Sequence, residues 1–157
     1  MKSKTISLEL DIPASSEIIW KHIANWEAQG EWMLQTKVWV TSDVREGVGT
    51  SIEAFTGPFY RSYPKFAFLG LLDKMTVTSW APPVRCDVIH TGKILKGVGS
   101  FELLPITPTQ SKFKWSETIN APAALLFIAT PALVFLEIGV RISLKRLRKR
   151  VLQAQSE

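Results

Sequence analysis

The chain opens with a strict alternation of apolar and polar positions. In residues 5–11, Ile6, Leu8 and Leu10 fall on one face and polar side chains fall on the other. A period of two residues is typical of a β-strand that is buried on one side only. Pro13 cannot donate a backbone hydrogen bond and ends the pattern. We therefore predict a first strand over residues 5–11.

Helical spacing follows directly after this strand. Ser15 or Ser16 can cap a helix, because a serine side chain accepts a hydrogen bond from an amide of the first turn. Ile19 and Ile23 then recur at the four-residue spacing of a helix face. The pattern breaks near residues 26–30, which include a glycine. The sequence thus predicts two short helices after the first strand.

Further segments rich in β-branched and aromatic residues are bounded by turn residues. They are residues 37–41, 50–55, 74–80, 84–91, 99–106 and 112–119. Short turns without helices connect most of them, which indicates an antiparallel meander. Residues 56–70 mix proline, glycine and aromatic residues without a clean period, and we interpret them as a long excursion between strands.

The C-terminal part of the chain carries an apolar stripe with helical spacing. Its members recur every three or four residues: Leu133, Leu136, Val140, Leu144, Leu147 and Val151. Thr130 followed by Pro131 is typical of a helix start. The stripe runs on through the basic residues 141–150, where a membrane span would have no reason to extend it. We therefore predict a long helix that lies on the sheet.

The same region also allows a membrane interpretation. About 20 mostly apolar residues precede the basic cluster, which is just enough to span a bilayer. Against a span, Pro131 interrupts this run, and Glu137 near its end would cost about 2.5–3.5 kcal/mol to insert at the bilayer centre. A membrane-associated protein anchored by residues 121–150 is one alternative, and peripheral membrane contact through the basic end of the helix is another. The stripe does not explain the apolar residues 123–129.

The net charge of +5 has a local origin. Residues 141–150 hold six basic side chains and no acid, and the rest of the chain has 13 basic and 14 acidic residues. A nucleic-acid-binding protein more often spreads positive charge over a folded face with reading residues, so we expect no nucleic-acid partner. The single cysteine, Cys86, excludes an internal disulfide, and the first residues lack the apolar core of a signal peptide. Both observations favour a cytoplasmic protein.

Four pieces of the sequence carry a family resemblance. They are LELDIPASSEIIWKHIANWEAQGEW, WAPPVRCDVIHTG, GVGSFELLPI and FKWSETI, which follow one another along the chain. With the predicted order of strand, short helices, strands and long helix, the chain resembles the SRPBCC superfamily. This is the START/Bet v1-like helix-grip group, which includes polyketide cyclase/dehydrase and lipid-transport-like proteins. The resemblance covers nearly the whole chain.

The resemblance implies an α+β helix-grip fold in a single domain over residues 1–157. A curved antiparallel sheet of about seven strands would wrap around the long C-terminal helix, with two short helices after the first strand. A cavity between sheet and helix would hold a hydrophobic ligand. The superfamily has no universal catalytic motif, so no catalytic residue is carried over. The excursion 55–72 looks longer and more apolar than usual, which predicts a lid or a patch for self-association as a homodimer.

Two polar residues stand out on the strand faces expected to line this cavity. His90 and Glu117 each alternate with apolar residues on their strands. A histidine near a carboxylate can do acid/base work on a carbonyl or hydroxyl compound, so these two are the catalytic candidates. Alternatively, each is solvated at a strand end or hydrogen-bonded within the fold. Asp73 and Asp87 are interpreted as turn or outer-face charges. We expect the ligand to contact Val88, His90, Phe101, Phe113, Trp115, Glu117, Leu136 and Val140.

Binding of a small hydrophobic molecule is the leading hypothesis for function. The ligand would be a lipid, a polyketide or an aromatic metabolite. A cyclase/dehydratase-type enzyme that uses the same cavity is the alternative, but few ionisable groups fall at predicted inner positions, and this favours binding. The chain has no metal-ligand, nucleophile or phosphate-loop motif, so we expect no metal and no cofactor. Trp20 and Trp26 are expected in the core between helix and sheet.

Overall fold

A seven-stranded antiparallel sheet forms the frame of the molecule. The computed structural model describes residues 1–157. The helix α1 (Ser16–Ile23) and a 3₁₀ turn (Glu27–Glu31) follow the first strand, and the long helix α2 (Ala123–Ser156) follows the last. The strands are β1 (Lys2–Ile12), β2 (Thr36–Val40), β3 (Ser51–Thr56), β4 (Leu71–Ala81), β5 (Arg85–His90), β6 (Gly97–Thr107) and β7 (Gln110–Ala121). Every predicted strand is present within a few residues of its predicted bounds.

The strands form a meander whose last strand returns to the first. Their order across the sheet is β1-β7-β6-β5-β4-β3-β2, so β1 and β2 are the edge strands. β1 pairs with β7 over its whole length, from Lys2 opposite Ala121 to Ile12 opposite Ser111. The helix α2 packs against the sheet chiefly at β1. The predicted α+β helix-grip arrangement is confirmed.

Serine capping fixes the start of α1, as predicted. The Ser15 hydroxyl accepts a hydrogen bond from the amide of Ile18 at 3.4 Å. Ile19, Trp20 and Ile23 are buried on the face of α1 that meets the core. Pro13 therefore follows the end of β1, and the Ser15 cap fixes the start of α1 three residues later.

The hydrophobic core lies between the inner face of the sheet and the second half of α2. Phe113 on β7 and Leu147 on α2 are both fully buried. Trp20 and Trp26 also belong to this core, as predicted. Full burial of such a side chain stabilises the fold by about 1.5–3 kcal/mol. The predicted stripe is confirmed at every member except Leu136, which is 40% exposed.

The start of α2 differs from the prediction. The helix begins at Ala123, not at Thr130 and Pro131, and Pro131 lies inside it. A proline in a helix interior removes one backbone hydrogen bond at a cost of about 3 kcal/mol, and it does not have to end the helix. The apolar residues 123–129 therefore add two further turns before the predicted start.

The excursion between β3 and β4 is held on the outer face of the sheet. Tyr63 stacks on Trp39 and Phe55, with ring centroids 5.1 and 4.8 Å apart. Both partners alternate with the core residues Val38 and Ala54, so they point away from α2. The segment near Tyr63 is thus not a lid over the inner face, because its aromatic anchor lies on the opposite side.

Candidate functional site

The inner face of the sheet carries one polar cluster among apolar side chains. His90 at the end of β5 is only 8% exposed. Its Nδ1 lies 3.0 and 2.9 Å from the two carboxylate oxygens of Asp73 on β4. Its Nε2 lies 2.8 Å from Oε2 of Glu117 on β7. We call Asp73, His90 and Glu117 the inner polar cluster.

Two glycines on β6 allow His90 and Glu117 to meet. β6 lies between β5 and β7, with Gly97 opposite His90 and Gly99 opposite Glu117. A Cβ atom on Gly99 would lie 2.9 Å from each carboxylate oxygen of Glu117. Gly97 has a φ of +143°, and a Cβ there would collide with the Thr118 carbonyl. Because glycine has no side chain, Gly97 and Gly99 leave a trough across β6, and His90 and Glu117 fill it.

Trp115 fixes the carboxylate of Glu117 from the other side. Its indole Nε1 donates a hydrogen bond to Oε1 of Glu117 at 2.8 Å. The indole itself is held edge-on by Phe101 at 5.1 Å and by Trp32 at 6.3 Å between ring centroids. Edge-to-face contacts of this kind are typical of aromatic clusters in cores. Each oxygen of Glu117 thus has a donor of its own.

Electrostatics makes His90 a cation. Burial would lower its pKa, but the hydrogen bonds and charges of Asp73 and Glu117 outweigh this and raise the pKa of His90 to about 10. At neutral pH, both ring nitrogens therefore donate, one to each carboxylate. The inner polar cluster holds one imidazolium between two carboxylates. The sequence-based alternatives of solvated strand ends are excluded, and hydrogen bonding within the fold is observed.

The placement of Asp73 is a correction to the sequence analysis. It was expected in a turn or on the outer face, but it lies on the inner face and binds His90. The pairing register between β4 and β5 shifts between Val77 and Ser79. Trp80 packs against the core, so strict alternation back along β4 would put Asp73 on the outer face. The irregularity shifts the alternation by one residue and places Asp73 on the inner face. Asp87 does lie on the outer side, where it accepts a hydrogen bond from Arg85 at 2.9 Å.

Solved structures resemble this arrangement of sheet and helix over almost its whole length. No protein-family model and no curated protein sequence matches the chain. A START superfamily protein from Mycobacterium smegmatis matches with a TM-score of 0.69 at 14% identity. The matched region covers 96% of this chain and 98% of that protein. Norcoclaurine synthase from Thalictrum flavum has a TM-score of 0.73 at 15% identity, with 98% and 97% covered. An aromatase/cyclase from Streptomyces has a TM-score of 0.73 at 10% identity, with 97% and 95% covered.

The chain has the START/Bet v1-like helix-grip fold. Identities of 10 to 15% extend to the fold and not to a shared activity. The SRPBCC resemblance stated from the sequence is thereby confirmed as a fold assignment.

The expected ligand-contacting residues fall into three groups in the helix-grip fold. The first group lies in or beside the inner polar cluster, and it comprises the cluster members His90 and Glu117, the half-buried Val88 and Phe101, and the buried Trp115. Phe113 and Val140 form a second group, since both are buried within the core cluster. Leu136 lies apart from both groups because it is exposed on α2. Sequence reasoning did not find Asp73 or the glycine trough, although the repeated glycine in Gly97-Val98-Gly99 was a usable signal.

Two surface hollows lie away from the inner polar cluster. One, of about 380 Å³, lies beside Trp26 and Arg45. The other, of about 600 Å³, lies between Leu10 and the end of α2 near Arg148 and Leu152. Neither is lined by any of the expected ligand-contacting residues. These hollows therefore contribute nothing to the expected site.

The side chains are not arranged to bind a metal ion or to activate a thiol. No set of three histidine, cysteine or acidic side chains is placed so as to hold a metal ion. The only thiol, Cys86, is buried on the inner face, and desolvation raises its pKa to about 12. A thiol with so high a pKa is a poor nucleophile at neutral pH. The inner polar cluster is thus the candidate functional site.

Proposed function

We propose that the protein binds a small hydrophobic molecule between the inner face of the sheet and α2. The observation that carries this proposal is one polar cluster set among the apolar residues Val88, Phe101 and Trp115. Ligand sites commonly combine a mainly apolar lining with a few placed polar groups. The apolar residues would hold the body of the ligand, and the inner polar cluster would hold its polar end.

The hydrogen-bonding capacity of the cluster favours one kind of polar group. Both N–H groups of His90 and the N–H of Trp115 are already used. The carboxylates of Asp73 and Glu117 have further lone pairs, because an ionised carboxylate accepts about four hydrogen bonds. Only acceptors are left, and two carboxylates outweigh one imidazolium in charge. The ligand should therefore carry a hydroxyl or an ammonium group, and not a carboxylate.

A cyclase/dehydratase-type enzyme is the second candidate. The close pairing of a buried imidazolium with Glu117 supports it, because such pairs can move protons. The engagement of both ring nitrogens and the pKa of about 10 argue against His90 as a base near neutral pH. Binding is therefore preferred. The cytoplasmic location predicted from the sequence stays a prediction.

A matched set of naphthalenes tests the proposal. Naphthalenes that bear a hydroxyl, an aminomethyl or a carboxylate group share one apolar body and differ only in the polar end. We expect the first two to bind at least about tenfold more tightly than the carboxylate, as a charge-assisted hydrogen bond requires. Calorimetric titration of the purified protein measures this, and native mass spectrometry checks the same protein for a co-purified ligand.

The control replaces carboxylates on opposite faces of the sheet. Glu117→Gln should remove most of the preference for the hydroxyl and aminomethyl compounds. Glu102→Gln, on the outer face beside Arg85, should keep it. Equal affinity for all three compounds, or an equal effect of the two variants, would refute the proposed site.

A further inference from the structure

One end of the sheet gathers four separate parts of the chain. The pairing of Lys2 with Ala121 brings the first residues next to the start of α2. The β3–β4 excursion leaves the sheet at this same end, and so does the β5–β6 connection that follows His90. We call these segments, residues 1–4, 57–70, 91–96 and 121–136, the docking end.

Large apolar side chains on the docking end face solvent. Phe68 is 79% exposed, Ile94 77% and Phe127 83%. Each belongs to a different segment, so the exposure is not the property of one loop. Single exposed apolar residues are ordinary, but several of them at one end of a sheet are typical of an interaction surface. Met1, Phe59 and Phe135, which also belong to the docking end, are exposed as well.

Residues 123–136, the first part of α2, carry no charged side chain on any side of the helix. Leu133 faces inward and is buried, while Phe127 and Phe135 are exposed. In the second half of the helix, the side opposite the core carries basic residues such as Lys145. A helix that is apolar on every side is ordinarily buried in protein or in lipid. In this helix, only 11% of the most apolar stretch of 18 residues is buried.

The charge of the docking end has one sign. Its four segments contain six basic residues and no acid, and these are Lys2, Lys4, Arg61, Lys65, Lys93 and Lys96. The nearby acids are already paired. Asp73 and Glu117 bind His90, and Glu53 binds Lys74 at 2.7 Å. Glu137, one residue beyond the last segment, binds Arg141 at 3.1 Å. Two such ends would repel each other, so a second copy is a poor partner. Anionic lipid headgroups above an apolar layer match both properties.

We propose that the docking end binds peripherally to the surface of an anionic lipid bilayer. The inserted residues would be the exposed aromatic and aliphatic side chains of α2 and the two loops, with the basic residues at headgroup level. This inference goes beyond ligand binding and does not depend on it. It also differs from attachment through residues 141–150, because Arg148 lies about 32 Å further along the helix than Phe127.

The fold argues for a peripheral contact and against a span. By length and composition alone, α2 is long and apolar enough to cross a membrane. However, its buried residues begin at Leu133, and Val140, Leu144 and Leu147 pack in the core. Residues 123–132 reach only about 15 Å at 1.5 Å per residue, and a bilayer core is about 30 Å thick. The free part of the helix can enter one leaflet only.

Vesicle flotation tests the docking end. The purified full chain is mixed with vesicles of phosphatidylcholine alone or with an equal amount of phosphatidylserine, and the partition coefficient is measured. We expect binding to the mixed vesicles only. Lys93→Gln with Lys96→Gln should lower the partition coefficient about 30-fold, since each surface charge contributes about fivefold. Phe127→Ser with Phe135→Ser should lower it by at least about tenfold, as loss of two inserted rings requires.

The control removes equal charge from the far half of the same helix. Lys145→Gln with Lys149→Gln should bind as the parent does, and circular dichroism should show that every variant is folded. Binding lost with this control and kept in Lys93→Gln/Lys96→Gln would overturn the proposal. Resistance of bound protein to an alkaline carbonate wash would also overturn it, because that indicates a span. Dimerisation through Phe127 and Phe135, without vesicle binding, would assign the surface to a second copy instead.

Discussion

At the residue scale, the inner polar cluster is the most constrained group in the molecule. A buried imidazolium is costly unless each of its N–H groups has a partner. Here Asp73 accepts from one nitrogen and Glu117 from the other, at 2.9 and 2.8 Å. Trp115 completes the arrangement by donating to Glu117. Because these side chains hold one another in place through hydrogen bonds, replacing one of them should disturb the positions of the others.

The first prediction at this scale concerns pH. The pKa of His90 rises from 6.5 to about 10 on folding, so its contribution to stability is full below pH 6.5 and is lost as pH rises through about 10. Urea unfolding of the parent and of His90→Gln across this window should give a difference in unfolding free energy that shrinks by roughly 3–5 kcal/mol. Asp87→Asn, which alters an outer-face ion pair, should leave this dependence intact. A parent stability that parallels His90→Gln at every pH would contradict the assignment.

The second prediction concerns the glycine trough. Gly99→Ala would put a Cβ 2.9 Å from a carboxylate that His90 and Trp115 hold in place. We expect it to cost about 1–3 kcal/mol of unfolding free energy, the usual cost of overpacking. Gly92→Ala is the matched control, because its nearest neighbour would lie 3.6 Å away, an ordinary contact. The cost of Gly99→Ala should fall in a Glu117→Ala background, and an unchanged cost there would show that the carboxylate is not what the methyl group meets.

At the element scale, α2 divides into two halves with different partners. From Val140 to Val151 its inward face is buried against the sheet, and its outward face is basic. From Ala123 to about Leu136 both faces are apolar and mostly exposed. The first half of α2 therefore contributes little to the packing of the helix against the sheet.

Replacing one large side chain in each half of α2 by alanine compares how much each half contributes to stability. Leu147→Ala removes a fully buried side chain and should lower the free energy of unfolding by about 2–5 kcal/mol. Phe135→Ala removes a larger side chain that is 74% exposed, and it should change that free energy by no more than about 0.5 kcal/mol. Chemical denaturation measures both values. A large loss in Phe135→Ala would mean that the first half of α2 is packed after all.

At the scale of the whole molecule, the candidate site and the docking end are close together. His90 is the last residue of β5, and the connection that follows it carries Ile94 and two of the basic residues of the docking end. A molecule docked in this orientation would present the end of the sheet that holds the inner polar cluster to the bilayer. The basic residues 141–150, which dominate the sequence charge, would point away from it.

The sequence alone determined the elements and their order. Alternation in β1, the Ser15 cap and the stripe on α2 depend on contacts between near neighbours along the chain, and such contacts can be read from residue types and spacing. It also singled out His90 and Glu117, because a polar residue on an apolar strand face is visible as a break in the pattern. The order of these elements, together with four pieces of the sequence, carried the family resemblance that implied the helix-grip fold.

Tertiary structure decided what those residues touch. The strand irregularity after Val77 turned Asp73 inward, and no local pattern marks such a shift in register. Gly97 and Gly99 matter only because β6 runs between β5 and β7, and residues brought together across a sheet are far apart in sequence. The exposure of Phe127 had the same cause, since burial depends on what packs beside a helix and not on its apolar pattern. The sequence determined which side chains are apolar, but only the fold decided which of them are left facing solvent.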